Sequence, residues 1–190
     1  MFRIRSLLGT VLVLFCLTAT AASSSPGWIW RNPLPNSDTL TTIAFGAGVY
    51  VAAGQDGSIF SSPDGVNWTQ RSNVLGDGGF YVDAIYGGGR FLLAGFDAAG
   101  NPHASTSTDG VTWTDTALPL DKKFEPANFL ELGAGIGRFI VMTTNEDAIS
   151  TDGVHWTKHL SHFSPVTGEL QSLLYANGLF ITYDSYSQNV

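Results

Sequence analysis

The chain has 190 residues, a formal net charge of −7, 44% hydrophobic and 12% aromatic residues, and a single cysteine. That length holds one ordinary domain, or a small domain plus a targeting segment, and the apolar fraction is enough to build a core without disulfides. An acidic surface excludes nucleic acid and anionic lipid as partners, because phosphate binding needs clustered Lys and Arg.

Residues 1 to 22 read as a signal peptide. Arg3 and Arg5 form a basic start, Leu7 to Leu17 an apolar run, and Ala19-Thr20-Ala21 a small-residue cleavage pattern. The run is shorter than the roughly 20 residues a membrane-spanning helix needs, so no membrane span is expected. Phe15 is too bulky for a lipoprotein cleavage box before Cys16, which argues against a lipid anchor. Cleavage leaves a cysteine-free, secreted or periplasmic protein, with 7 Lys+Arg against 16 Asp+Glu and a net charge near −9.

The rest of the chain, residues 23–190, is an internal repeat. Gly27-Trp28-Ile29-Trp30 opens it with the Gly-x-x-Trp pattern of the later turns, so residues 28–31 read as a closing strand. In the first unit, about residues 38–71, strands are expected over Leu40–Phe45, Val49–Ala53, Ser58–Ser62 and Asn67–Arg71, separated by glycine turns. Two more units follow, about residues 80–115 and 128–158, then a partial one at 169–184 with strands Leu170–Tyr175 and Leu179–Tyr183. Ser62-Pro63-Asp64-Gly65-Val66-Asn67-Trp68-Thr69 returns as Ser107-Thr108-Asp109-Gly110-Val111-Thr112-Trp113-Thr114 and as Ser150-Thr151-Asp152-Gly153-Val154-His155-Trp156-Thr157. The aspartates lie 45 and 43 residues apart, the length of one four-stranded propeller blade. Gly48-Val49-Tyr50-Val51, Gly89-Arg90-Phe91-Leu92, Gly137-Arg138-Phe139-Ile140 and Gly178-Leu179-Phe180-Ile181 keep the same beat.

These boxes resemble the Asp-box (BNR, sialidase-like) propeller repeats found in sialidases, sortilin-type receptors and photosystem-assembly propellers, here of a bacterial exported type. One departure is that Asp and Gly are adjacent, where the usual box has a residue between them. The expected fold is all-β: a partial or truncated β-propeller with three complete four-stranded blades plus an incomplete one. A truncated copy of a longer propeller is favoured over an incomplete four-blade ring. Asp64, Asp109 and Asp152 are read as structural acceptors of their own turns' N–H groups. Gly65, Gly110 and Gly153 supply the turn geometry, and Trp68, Trp113 and Trp156 fill the space between sheets.

The resemblance to sialidases raises an enzyme reading, which needs several arginines and paired acid/base groups at one pocket. Outside the leader the chain has Arg31, Arg71, Arg90 and Arg138, and no Arg-Ile-Pro signature; Arg90 and Arg138 share one repeat position, which suits a structural role. His155, His159 and His162 read as exposed rather than as metal ligands, since a hairpin does not bring them to one face. Gly133–Gly137 reads as a hairpin turn, not a phosphate loop. Asn67-Trp68-Thr69 matches a glycosylation sequon inside a box turn. No catalytic residue, metal or cofactor is assigned.

Topology places the other candidate site on the loops 72–80, 116–128 and 160–169 and the turns 55–57, 97–101 and 145–147. Asp56, Asp97, Asp121 and Glu146 form the candidate binding rim, with Asp77, Glu125 and Asp147 nearby. Such a rim suits a cation or a basic partner, but solvated charge that keeps the protein soluble is the favoured account. The reading is an exported, non-catalytic propeller that binds or scaffolds a protein or a glycan, with self-association through open blade edges. The alternative is a fragment or remnant of a sialidase-like glycoside hydrolase.

Overall fold

A computed structural model describes residues 39–121, 130–143, 146–160 and 170–184. The expected signal peptide, the expected closing strand at 28–31, Arg31, Glu125 and His162 lie outside the described residues. Within them the chain is all-β. The first blade holds β1 (Leu40–Gly46), β2 (Val49–Gly54), β3 (Ile59–Ser62) and β4 (Thr69–Gln70). The second holds β5 (Phe80–Gly87), β6 (Arg90–Phe96), β7 (Pro102–Ser107) and β8 (Thr114–Ala117). The third holds β9 (Glu131–Gly135), β10 (Arg138–Met142), β11 (Glu146–Ser150) and β12 (Thr157–Leu160), and β13 (Leu170–Ala176) and β14 (Leu179–Asp184) pair as a fourth sheet. Each sheet is an antiparallel meander in chain order. This is a β-propeller arrangement of three four-stranded sheets and one two-stranded sheet among the described residues. No described helix is long and apolar enough to cross a membrane.

Local chemistry dictates the hairpins. Ala47-Gly48, Gly88-Gly89, Ile136-Gly137 and Asn177-Gly178 all have positive φ at both residues. That is the two-residue turn whose twist matches the flanking strands. The β4 strand is shorter than the sequence suggests because Asp64 to Asn67 is taken up by the turn before it. Glu146 and Asp147, expected in a loop, begin β11 and pair with Leu160 and His159.

The strands β1, β5, β9 and β13 contact one another in that order, so the sheets stack around them. Middle strands are covered on both faces: Val51, Ala53, Leu92, Leu93, Ala94 and Val141 are fully buried or nearly so. That explains their continuous apolar runs. One cluster, including Ala44, Val51, Tyr81, Phe91, Leu93 and Trp113, joins the first two blades. A second, including Leu92, Phe96, Leu132, Phe139 and Val141, joins the second and third. Ile140, Met142 and Leu173 join the third to the last sheet.

The ends of the innermost strands interlock through glycine. A Cβ at Gly46 would lie 1.9 Å from the Tyr86 ring, one at Gly87 would lie 2.4 Å from the Ala134 Cβ, and one at Gly135 would lie 2.3 Å from the Tyr175 ring. Each blade thus inserts a side chain where its predecessor has none. We expect Gly46→Ala to destabilise the fold by about 1–3 kcal/mol through overpacking. Tyr86→Ala in the same molecule should recover part of that loss. Gly48→Ala, where φ is +75° and no atom lies within 4 Å, should cost about 1 kcal/mol from backbone conformation alone and gain nothing from Tyr86→Ala. Denaturant midpoints of the single and double variants check this.

Candidate functional site

The repeated aspartates close their own turns. Asp64 Oδ1 accepts the N–H groups of Val66 and Asn67, both at 2.8 Å. The Ser62 hydroxyl donates to the same oxygen at 2.9 Å and accepts the Gly65 N–H at 2.9 Å. Asp109 repeats this with Val111 and Thr112, and Asp152 with Val154 and His155. Adjacent Asp and Gly suit this geometry, because the glycine at φ near +70° in each box turns the chain back onto the carboxylate. The Trp68 and Trp156 indoles donate to the Gly65 and Gly153 carbonyls at 3.3 and 3.1 Å. Trp113 is buried in the core between the first two blades, and Trp156 is partly buried against the next. Trp68 is only half-buried, stacking near Tyr50.

Hydrogen bonds of this kind hold the carboxylates ionised. The N–H of Asn67, then that of Val66, holds Asp64 well below the usual carboxylate range. The Thr112 and Val111 N–H groups bring Asp109 down to about 2. For Asp152 the largest contributor is the His155 side chain, whose Nδ1 lies 2.6 Å from Oδ2. His155 is thus an exposed partner of its own turn. His159 lies on β12, paired with Asp147.

At the opposite end of the blades the rim carboxylates are largely engaged within the chain. Asp56 Oδ1 accepts the Gly78 N–H at 2.9 Å, and Asn73 bridges the Asp56 carbonyl and Asp77. Asp97 accepts N–H groups from Ala99 and Asn101 and the Asn101 side-chain amide, which lowers its pKa. Asp121 and Glu146 come together: Lys158 Nζ lies 2.6 Å from Asp121 and 3.0 Å from Glu146, and the Asp121 N–H donates to Glu146 at 2.8 Å. Asp56 instead reaches the 72–80 loop through Gly78, and Asp97 is held by Asn101 of its own turn with His103 Nε2 3.5 Å away. Asp121 is 82% exposed at its side chain, and Glu146 only 11%. Each described blade therefore presents a small, internally braced acidic cluster at one shared end. Among the described residues no group of three or more His, Cys, Asp or Glu side chains is placed to hold a metal ion.

The sequence reading missed two groups of polar residues, most of them partly buried. The first is on the innermost strands. Asp83 Oδ2 accepts the Leu132 N–H of the next blade at 2.9 Å, and Glu131 accepts the N–H of Leu173 one blade further. The Thr41 hydroxyl makes the corresponding reach from the first blade, donating to the Tyr81 carbonyl at 2.6 Å. Burial raises the Asp83 pKa, and burial, then repulsion from Asp83, pushes Glu131 up to about 7. The second group runs across blade two. Tyr81 Oη meets Ser105 Oγ at 2.9 Å, Ser105 donates to Asp115 at 2.7 Å, and His103 Nδ1 lies 2.6 Å from the same carboxylate. Its Ser, Asp and His do not form a nucleophile relay, since the serine hydroxyl is spent on Asp115 rather than on the histidine. The Asp115 hydrogen bond raises the His103 pKa.

The described arginines do not converge. Arg71 Nε donates to Ser61 Oγ at 2.7 Å, and Arg90 donates to the Asp152 carbonyl of the next blade. Arg138 sits exposed at the start of β10. The first two positions therefore brace strands and turns.

The fold defines the protein as a β-propeller. No protein-family model matches the chain, and no curated protein matches it. Among solved structures, a YCF48 bound to a D1 peptide is similar at TM-score 0.56 and 17% identity, over 80% of this chain and 48% of that one. YCF48 from Cyanidioschyzon merolae gives 0.53 and 18%, covering 80% of this chain and 52% of that chain. The computationally designed Ika4 protein gives 0.55 and 9%, covering 79% and 88%. The chain spans about half the length of the two YCF48 structures.

The two carboxylate classes give opposite pH dependence. The turn aspartates, lowered in the fold, contribute stability above the unfolded value of 3.8 that is lost as pH falls toward their folded values. Glu131 is raised from 4.5 to about 7, so its contribution is fully present below 4.5 and is lost as pH rises to 7. Unfolding midpoints between pH 2 and 8 should therefore fall at both ends of that range. Glu131→Gln should flatten the decline between 4.5 and 7 and leave the acid limb unchanged.

Proposed function

We propose that the chain is an exported, non-catalytic β-propeller with Asp-box-type turns, whose acidic rim binds a basic segment of another polypeptide. The observation that carries this reading is the rim itself. In three blades, carboxylates at one end are braced by N–H groups, an asparagine or a lysine of the chain itself. Pre-organised acceptors on rigid hairpins lower the ordering cost of binding, and a like-signed rim steers oppositely charged partners. Export rests on the Arg3–Arg5, Leu7–Leu17 and Ala19–Ala21 pattern of the first 22 residues. A fold-level neighbour with a peptide bound favours a polypeptide over a glycan. The bracing roles of Arg71 and Arg90 favour a binding module over a sialidase-like hydrolase, whose chemistry would need converging arginines.

Titration of labelled Lys/Arg-rich and Asp/Glu-rich peptides onto the purified protein tests the reading. We expect basic peptides to bind, with affinity falling as salt rises. Asp77→Asn and Asp121→Asn should each weaken binding by about 0.2–1 kcal/mol, the range of exposed ion pairs. Absence of binding to any basic peptide, with turnover of a sialoside or other glycoside abolished by Glu131→Gln, would establish the hydrolase reading instead.

A further inference from the structure

Every blade-to-blade joint in this chain uses the same register positions. On the inserting side, Phe45, Tyr86, Ala134 and Tyr175 are equivalent, each opposite the aromatic second residue of the next strand. Ile43, Ala84, Leu132 and Leu173 are equivalent two residues before them. On the receiving side, Val49 and Val51 of blade one cover Gly110 of blade two, and Arg90 and Leu92 of blade two cover Gly153 of blade three. The pairing makes Leu179 and Ile181 the equivalents of these two in the last sheet.

At the ends of the series the same positions are bare. Ala84, Leu132 and Leu173 are 8%, 2% and 9% exposed, whereas Ile43 is 59% exposed and Phe45 56%. Gly110 and Gly153 are buried and Gly65 is exposed. In the last sheet Leu174, Leu179 and Ile181 are 60%, 64% and 50% exposed. Among the described residues, blade one therefore carries an inserting face without a receiver, and the last sheet a receiving face without an insert. Apolar residues exposed in matched sets mark an interaction surface, and the surface that matches each set is the other one.

We propose that a second copy of this chain supplies the match. The Ile43–Phe45 face and Gly65 turn of one copy seat on the Leu174, Leu179 and Ile181 face of the other. Such a contact is heterologous and closes when the rotation completes a ring. Two copies joined reciprocally bring together eight of the described sheets, within the four-to-eight range of propellers. Ala176 stands where the other blades have Gly46, Gly87 and Gly135. Phe45 therefore cannot seat as deeply as Tyr86 does, and the joint is looser than the internal ones.

Sedimentation of the full chain, and of two variants mixed, tests this. Ile43→Asp/Phe45→Asp removes the inserting face, and Leu174→Asp/Ile181→Asp removes the receiving face. We expect a dimer for the unaltered chain, a monomer for each variant alone, and a one-to-one complex when the variants are mixed, through the single intact pair of faces. A monomeric unaltered chain at every concentration would overturn the proposal, as would a dimer that survives either variant or a mixture that stays monomeric. Near-UV circular dichroism checks that each variant folds. Should an aspartate pair unfold the chain, Phe45→Ser and Ile181→Ser carry the same test.

Discussion

The constraint on which this molecule depends is the need to lay one sheet's turn flat against the middle strand of the sheet before it. A Cβ at Gly110 would press on Val51 and Val49 at 3.0 and 3.2 Å, and one at Gly153 would meet the Thr106 methyl at 2.8 Å. The glycine that meets this demand also adopts positive φ, so the turn would be loose without a brace. The aspartate just before it is that brace. Its carboxylate gathers two N–H groups on the outer side while the glycine faces inward, and the serine hydroxyl links the two halves of the loop.

Because the bracing carboxylate and the seating glycine are neighbours in the chain, the propeller is legible in the order of residues alone. The 45- and 43-residue spacings, the glycine hairpins and the apolar middle strands all report local geometry that recurs in each unit. What is not legible there depends on partners far apart in the chain. Asp83 and Glu131 occupy one register position whose equivalents are Thr42 and Ser172, so no repeated residue type marks it. A bulge after Tyr81 precedes Asp83, which reaches Leu132 across 49 residues. The rim is legible as acidic, but not as braced. Lys158 and Gly78 reach Asp121 and Asp56 only once distant segments meet, 37 and 22 residues apart in the chain. Trp68 shows the same limit. It matches Trp113 and Trp156 in sequence, yet it remains half-buried, with no preceding blade against it among the described residues.

These features divide the molecule into two ends with different freedom. The end carrying the aspartate turns is committed to holding blades together, since its carboxylates and serine hydroxyls are engaged within each turn and Gly110 and Gly153 are seated against the preceding blade. The end carrying Asp56, Asp97 and Asp121 is braced but faces outward, with Lys158 and Glu146 of the third blade holding Asp121 on the loop before it. Recognition on a propeller belongs at the end where loops do not also have to build the fold. The inner-strand carboxylates stand between these roles: they tie blades together at a cost that depends on their protonation.

Amide hydrogen exchange at the three turn glycines tests the central claim most directly. All three N–H groups donate to a serine hydroxyl at 2.8–2.9 Å, so the turns differ chiefly in whether a preceding blade covers them. In dilute solution the seating account requires Gly110 and Gly153 to exchange only with opening of a blade joint, and Gly65 to exchange much faster by local opening. Equal rates at all three would contradict it.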